Sequence, residues 1–282
     1  MKKILVTGAT GFIGGYVIAA LQQRGCTVIA TSSAEEKARL CSWFHTVRYI
    51  PFNLQQFDTA VNYQQYFNEP DAVIHLAWEG LPNYKSDFHV TENLPRHFAF
   101  LQNLVANGQK DITVTGTCFE YGMQQGCLSE DMETFPANPY AVAKDTLRKK
   151  MQALQLQTGF NFKWVRLFYM YGAGQNPNSL LSQLEKALAA NQAVFNMSGG
   201  EQVRDFLPVE RVAENIAAIA LQQKVQGIIN CCSGEPVTVK EFVQKYLAAT
   251  GKNITLNLGY YPYPDYEPME FWGDNSKLKT IE

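Results

Sequence analysis

Tyr140 and Lys144 stand four residues apart in the segment Asn138-Pro-Tyr-Ala-Val-Ala-Lys144. Asn138 suits a helix N-cap and Pro139 suits the first helical turn, so the two side chains fall on one helix face. A neighbouring ammonium favours the phenolate. This predicts a Tyr140 pKa lowered from about 10 and a phenol able to give or take a proton near neutral pH. Such pairs occur by chance on many solvated helices, and a hydroxyl upstream makes this one more specific. Thr117, in Thr115-Gly-Thr-Cys-Phe-Glu-Tyr-Gly122, follows the apolar run Ile112–Gly116. Its alternative role is to cap a turn.

A third group of residues binds rather than reacts. Gly8, Gly11 and Gly14 lie in TGATGFIGG, directly after the apolar run Lys3–Thr7 and directly before a helical pattern over Phe12–Arg24. Glycines at a strand-to-helix turn let the backbone approach a pyrophosphate, and the helix start presents unpaired N–H groups to that anion. Elsewhere in a chain the same glycines would read as an ordinary turn; in this position they predict dinucleotide binding.

The elements that must hold these groups alternate through the first two thirds of the chain. Strands are predicted at Lys3–Thr7, Thr27–Thr31, Val47–Ile50, Ala72–Leu76, Ile112–Gly116 and Phe162–Leu167. Helices are predicted at Phe12–Arg24, Tyr63–Phe67, Leu94–Asn107 and Tyr140–Gln157. The alternation predicts an α/β fold with a doubly wound, Rossmann-type parallel sheet, which binds ligands beyond the C-terminal ends of its strands. By that rule the end of Ile112–Gly116, and Thr117 with it, faces the crevice.

After about Tyr171 the alternation loosens and Asn, Gln, Pro and Tyr become more frequent. Helices are expected at Ser179–Ala190, Val209–Gln222 and Val239–Ala249, with short strands at Ile228–Cys231 and Ile254–Leu258. Tyr260–Pro268 carries three prolines and reads as a loop over a site. The division expected is residues 1–170 as a dinucleotide-binding domain and residues 171–282 as mainly a smaller, substrate-binding lobe, with strands free to return to the sheet.

Bulk properties exclude several classes. The 282 residues are 46% hydrophobic, enough for a sizeable core, and the net charge of -2 gives no field to recruit nucleic acid or anionic lipid. The Arg148-Lys149-Lys150 trio reads as a solvated helix face. Six cysteines without CxxC spacing, two of them the adjacent Cys231 and Cys232, read as reduced thiols of a cytoplasmic protein. The four histidines, His45, His75, His89 and His97, show no metal-ligand spacing, so no metal is expected. No apolar run reaches about 18 residues, so no membrane partner is expected, and the glycine turn interrupts what would otherwise resemble a signal peptide.

Together these segments resemble the extended short-chain dehydrogenase/reductase family, and within it the NAD(P)-dependent nucleotide-sugar epimerases, dehydratases and reductases. Residues 7–14 look like the family's cofactor loop, His75-Leu-Ala77 like its segment after the fourth strand, and Thr117, Tyr140 and Lys144 like its triad. Arg166-Leu-Phe-Tyr-Met-Tyr-Gly172 resembles the RxxNxYG segment, with Tyr169 where Asn is usual. Arg204-Asp-Phe-Leu-Pro-Val209 resembles RDFIHV, and Asp274-Asn-Ser-Lys277 a late D-x-S-K signal. The resemblance covers nearly the whole chain; relatives commonly continue further past Lys277, so a last helix shortened or absent is expected.

The resemblance implies hydride transfer between nicotinamide and a sugar carbonyl carbon. Tyr140 would exchange the proton with the carbonyl oxygen, which Thr117 would hydrogen-bond, and Lys144 would hold the nicotinamide ribose. It also implies cofactor contacts from Gly8, Thr10, Gly11, Phe12, Ile13, Gly14, Ser32, Ser33, Asn53, Leu54, Leu76, Ala77, Trp78, Thr115 and Lys144. Asn53 stands where the family often has Asp against the adenine. Trp78 either narrows the nicotinamide side or packs in the core. Homodimerisation through Leu94–Asn107 and Tyr140–Gln157 is implied as well.

Which reaction follows from smaller details. The family's dehydratases resemble one another in a Thr-Asp-Glu run; here the run is Thr117-Cys118-Phe119, and neither Cys118 nor Phe119 can replace a carboxylate pair. The second strand ends Ile29-Ala-Thr-Ser-Ser33 without the acid that selects NAD, and Lys37 or Arg39 can supply charge to a 2′-phosphate unless both merely line a solvated helix. NADP(H) is therefore favoured, with NAD(H) as the alternative. The leading expectation is an NADPH-dependent reductase of a nucleotide-diphosphate 4-keto-6-deoxysugar. An NAD-retaining epimerase comes second, and a catalytically idle nucleotide-binding relative third. On the substrate side, Thr117 and Tyr169 are expected at the sugar. Arg204 is expected at the diphosphate, or else in a salt bridge with Asp205 or Glu210, and Arg211 is the weaker candidate. The aromatic loop Tyr260–Tyr266 either covers the ligand or seals the lobe interface.

Overall fold

Apolar segments rich in Val and Ile become parallel strands when helices cover both of their faces. The computed structural model, which describes residues 1–265 and 267–281, follows that rule. The chain runs β1 (Lys3–Thr7), α1 (Gly14–Gln23), β2 (Thr27–Thr31), α2 (Glu35–Arg39), β3 (Arg48–Tyr49), α3 (Tyr63–Tyr66), β4 (Ala72–His75), α4 (Leu94–Ala106) and β5 (Asp111–Thr117). It continues through β6 (Gly126–Leu128), α5 (Pro139–Thr158), β7 (Asn161–Leu167), β8 (Tyr169–Tyr171), α6 (Leu180–Ala189), β9 (Val194–Asn196), β10 (Val203–Pro208) and α7 (Val209–Leu221). Then come β11 (Gly227–Cys231), β12 (Pro236–Thr238), α8 (Val239–Thr250), β13 (Thr255–Asn257), β14 (Phe271–Gly273) and α9 (Ser276–Lys279).

Seven strands form one sheet in the order β11-β7-β5-β4-β1-β2-β3, every neighbouring pair parallel. The order reverses between β1 and β4, so a crevice opens beyond their C-terminal ends. On one face α1 and α7 pack through Val17, Ile18, Leu21, Val212, Ile216 and Ile219. On the other, Phe67, Phe100, Leu104, Leu147 and Met151 of the α3–α5 layer form a second core. Beyond the strand ends, α6, β9 and α8 enclose a third cluster around Leu184, Phe195, Phe242 and Val243.

The expected strands are all present, with ends shifted by a residue or two. The first helix begins at Gly14 rather than Phe12, because Phe12 and Ile13 belong to the glycine turn. The strand expected at Ile254–Leu258 is only Thr255–Asn257. Helix α2 and strands β6, β8, β9, β10, β12 and β14 were outside the expectation. All are short and irregularly patterned, and six residues or fewer carry little periodicity. Both α7 and β11 lie beyond residue 171, yet they cover and complete the main sheet. Among the described residues, no helix is long and apolar enough to cross a membrane.

Candidate active site

At the end of β1 the chain turns left-handed at Gly8, with φ +69°, and a Cβ there would lie 2.7 Å from the backbone N of Ala77. A Cβ on Gly14 would lie 2.4 Å from the Ala9 carbonyl oxygen. The turn is closed by Gly11 N–H to Gly8 O at 2.9 Å and Gly14 N–H to Gly11 O at 3.2 Å. Helix α1 then starts with no side-chain cap, so no side-chain oxygen occupies the place of an anion at its N-terminus. These glycines are therefore required by backbone packed on backbone, and the turn fits a dinucleotide pyrophosphate.

Two adjoining hollows meet at this turn. Gly8, Gly11, Lys37 and Trp78 border both. Thr10, Ser32, Ser33, Leu54 and Ala77 line the one beyond β2. Phe12, Ile13, Gly14, Thr115, Thr117, Tyr140, Lys144 and Tyr169 line the other, and Leu76 borders both. Asn53 lines neither hollow: its Oδ1 accepts the Gln55 N–H at 2.9 Å and caps a single turn. Ser32 is buried, its Oγ 3.1 Å from the Tyr49 hydroxyl. Glu79, which sequence reasoning passed over, adds a carboxylate to the β2 hollow, held by Gln55 Nε2 at 3.0 Å.

Helix α5 begins as expected. Asn138 Oδ1 accepts the Ala141 N–H at 2.9 Å, Pro139 follows, and Tyr140 and Lys144 are 7% and 2% exposed. Lys144 Nζ donates to the Thr115 carbonyl at 2.9 Å and sits 4.1 Å from the Trp78 ring centre. The Tyr140 N–H donates to the Tyr84 carbonyl at 3.1 Å. Thr117 ends β5 with its Oγ1 accepting the Phe119 N–H at 3.3 Å.

One expectation is overturned here. The Tyr140 phenol is raised, not lowered: burial pushes it up first, Tyr84, Glu120 and Cys118 add to that, and hydrogen bonding from Thr117 only partly opposes it. The cause is burial of the phenol against the protein wall. The same burial pulls Lys144 down to about 7, against the attraction of Glu120, so the ammonium is not a fixed charge that could hold a phenolate.

Around the cleft, His97, His89 and Tyr84 join residues that the sequence singled out, His75 and Trp78. His75 Nδ1 lies 2.9 Å from Thr7 Oγ1, and its Nε2 lies 2.7 Å from His97 Nδ1. Burial lowers His75 to about 3 and His97 well below the usual range, so both stay neutral. Trp78 stacks on His97, with ring centres 4.5 Å apart, and its Nε1–H donates to His89 Nδ1 at 3.1 Å. Trp78 therefore both packs on the core and borders the cleft. Tyr84 also lines the cleft, with its ring 5.5 Å from that of Tyr140.

The substrate-side arginines depart from expectation. Arg204 is 2% exposed and pairs with Glu267 at 2.9 Å, rather than with Asp205 or Glu210. Its Nη1 donates to the carbonyls of Val203 and Met269, and it lines neither hollow. Asp205 instead accepts from Ser233 and Gly234. Arg211 projects from α7 towards solvent, 3.1 Å from Glu214, and is also off the lining. Of the four expected substrate contacts, Thr117 and Tyr169 reach the cleft. The aromatic loop is tied down by Tyr263, whose hydroxyl donates to Glu201 at 2.8 Å, and by Asp265, 3.6 Å from Lys85; Tyr266 lies outside the described residues.

The sequence profile of the NAD dependent epimerase/dehydratase family matches residues 4–232. A dTDP-6-deoxy-L-talose 4-dehydrogenase (NAD(+)) of Aggregatibacter actinomycetemcomitans is 30% identical, over 96% of this chain and 99% of its own. A GDP-6-deoxy-D-talose 4-dehydrogenase of the same organism is 27% identical, over 99% of this chain and 90% of its own. Among solved structures, the UDP-glucuronic acid 4-epimerase of Bacillus cereus in complex with UDP-glucuronic acid and NAD is similar at a TM-score of 0.82 and 25% identity, over 99% of this chain and 92% of its own.

Proposed function

The chain belongs to the NAD dependent epimerase/dehydratase family, and from that premise we propose that it reduces the 4-keto group of a nucleotide-linked 6-deoxyhexose, with NADPH as the favoured reductant. One observation carries the reading: Tyr140, Thr117 and Lys144 converge on a single cleft at the glycine turn, and the two residues after Thr117 are Cys118 and Phe119. A bound nicotinamide would supply the hydride chemistry. Tyr140, kept protonated by burial, gives its proton to the carbonyl oxygen as the carbon is reduced. Thr117 has one lone pair engaged by the Phe119 N–H; its O–H, which bonds to Tyr140 in the free protein, turns to the same oxygen when the ketone is bound. With a thiol and a phenyl where elimination needs carboxylates, net reduction is favoured over dehydration.

Ser32, Ser33 and Lys37 in the β2 hollow support a phosphorylated ribose. A second reading, NAD(H), is favoured by Glu79 in the same hollow, and a relative named for NAD(+) points the same way. A panel of nucleotide-linked 4-keto-6-deoxyhexoses assayed with NADPH and with NADH decides between them. The expected result is one equivalent of NADPH oxidised per ketone lost, with deuterium from labelled cofactor retained at C4. Interconversion of 4-epimers without net cofactor consumption would replace the reductase with an epimerase.

Lys144 also predicts a pH dependence of cofactor binding. In the free protein it titrates at about 7, so it is ammonium at pH 6 and mostly amine at pH 8. Ribose hydroxyl oxygens and phosphates favour the charged form, so the complex holds the proton to higher pH than the free protein does. Binding above pH 7 therefore takes up a proton, and affinity falls by up to about tenfold per pH unit between 7 and the pKa of the complex. Calorimetric titration across pH 6–9 measures this, and Lys144→Arg, which keeps its charge, should give a flat profile.

A further inference from the structure

Thr117 is held from below by a carboxylate that no expectation singled out. After β5 the chain makes one tight turn, Cys118–Tyr121, and its third residue, Glu120, folds back so that Oε1 accepts the Thr117 N–H at 2.9 Å. With Phe119 N–H donating to Thr117 Oγ1, the two bonds form a capping box across the end of the strand. Glu120 is itself immobilised. It accepts from Trp164 Nε1 at 2.9 and 3.1 Å and from Arg166 Nε at 2.8 Å, and Arg148 lies at 3.6 Å. Both Glu120 and Arg166 are 0% exposed.

The strand is shaped to this carboxylate. A Cβ on Gly116 would lie 2.2 Å from Trp164 Nε1 and 2.4 Å from Glu120 Oε1, so only glycine lets β5 rest on the group. A buried ion pair gains little stability over an apolar pair of similar volume. Fold stability alone therefore does not call for Glu120 at this place, whereas precise orientation of the strand end does.

We propose that Glu120 is the positioning residue for Thr117, its carboxylate fixing the end of β5 so that the Thr117 hydroxyl presents its proton to the reacting oxygen. This rests on the role given to Thr117 in the proposed reduction. The negative charge of Glu120 also opposes the loss of the Lys144 proton, in keeping with its place beneath the cleft.

The test is a double-mutant cycle of Glu120→Gln with Thr117→Ala in the full chain. Glu120→Gln alone is expected to lower kcat by about 10- to 100-fold, with KM for keto sugar and dinucleotide within about twofold. In the Thr117→Ala background the same change should cost less than about twofold, because there is no hydroxyl left to aim. An equal loss in both backgrounds overturns the proposal. Glu120→Gln/Arg166→Met, which removes the carboxylate and the guanidinium hydrogen-bonded to it and leaves Arg148 with Asp145, covers the case in which the single variant does not fold, and the same expectations apply to it. Amide hydrogen exchange needs no substrate: the segment spanning Thr117 should exchange faster in either variant while α5 is unchanged, and unaltered exchange at Thr117 also overturns it. If the wild-type protein turns over no keto sugar, the functional reading fails, and exchange alone decides whether Glu120 holds Thr117.

Discussion

Tyr140→Phe is expected to lower ketone reduction by about 10²–10⁴-fold, the usual range for a positioned proton donor, while leaving dinucleotide affinity within about twofold. The split follows from geometry. The ring of Tyr140 packs against Trp78, Tyr84 and His89, and phenylalanine keeps all three contacts. The glycine turn that meets the pyrophosphate is a separate element and is untouched. Only the hydroxyl is lost, and burial keeps that hydroxyl protonated in the free protein. Steady-state rates with thermal unfolding as a control measure the effect. Full activity in the variant would remove Tyr140 from the proton transfer.

Gly14→Ala is expected to weaken dinucleotide binding by at least about 100-fold, and Gly15→Ala, one residue on, by less than about twofold. At Gly14 the added carbon meets the Ala9 carbonyl oxygen at 2.4 Å, the Ala9 carbonyl carbon at 2.6 Å and the Gly8 oxygen at 2.7 Å. All three are backbone atoms, so no rotamer change relieves the clash, and the turn must open. At Gly15 the nearest atoms belong to the Trp43 ring at 3.6 Å, an ordinary contact. Fluorescence titration with the dinucleotide compares the two variants directly. Equal behaviour would mean that the turn does not approach the pyrophosphate.

The parts of the site that could be read from the residues are those set by local rules. Asn138 and Pro139 start a helix wherever they fall, so Tyr140 and Lys144 had to share a face. Gly8, Gly11 and Gly14 between an apolar run and a helical pattern admit few other backbone paths. What escaped depends on partners distant in the chain. Arg204 meets Glu267, 63 residues away, and no spacing rule announces that pairing. Glu120 belongs to no pattern in the sequence, and only β7 brings Trp164 and Arg166 against it. The sign of the Tyr140 shift was misjudged because adjacency of charge is visible in a sequence and burial of the pair is not. Short strands such as β8 and β12, three residues each, lack the length to show alternation.

The position of β11 has a consequence for how the molecule is made. It borders β7, but about sixty residues separate the two strands in the chain, and α7, which covers α1, lies between them. A growing polypeptide that has emerged only as far as β7 carries every glycine of the cofactor turn and every triad residue, yet presents an unpaired strand edge and leaves the apolar face of α1 bare. Such edges invite pairing with other chains. The glycine turn and the triad are therefore present early in synthesis, while cover for the strand edge and for α1 waits for α7 and β11.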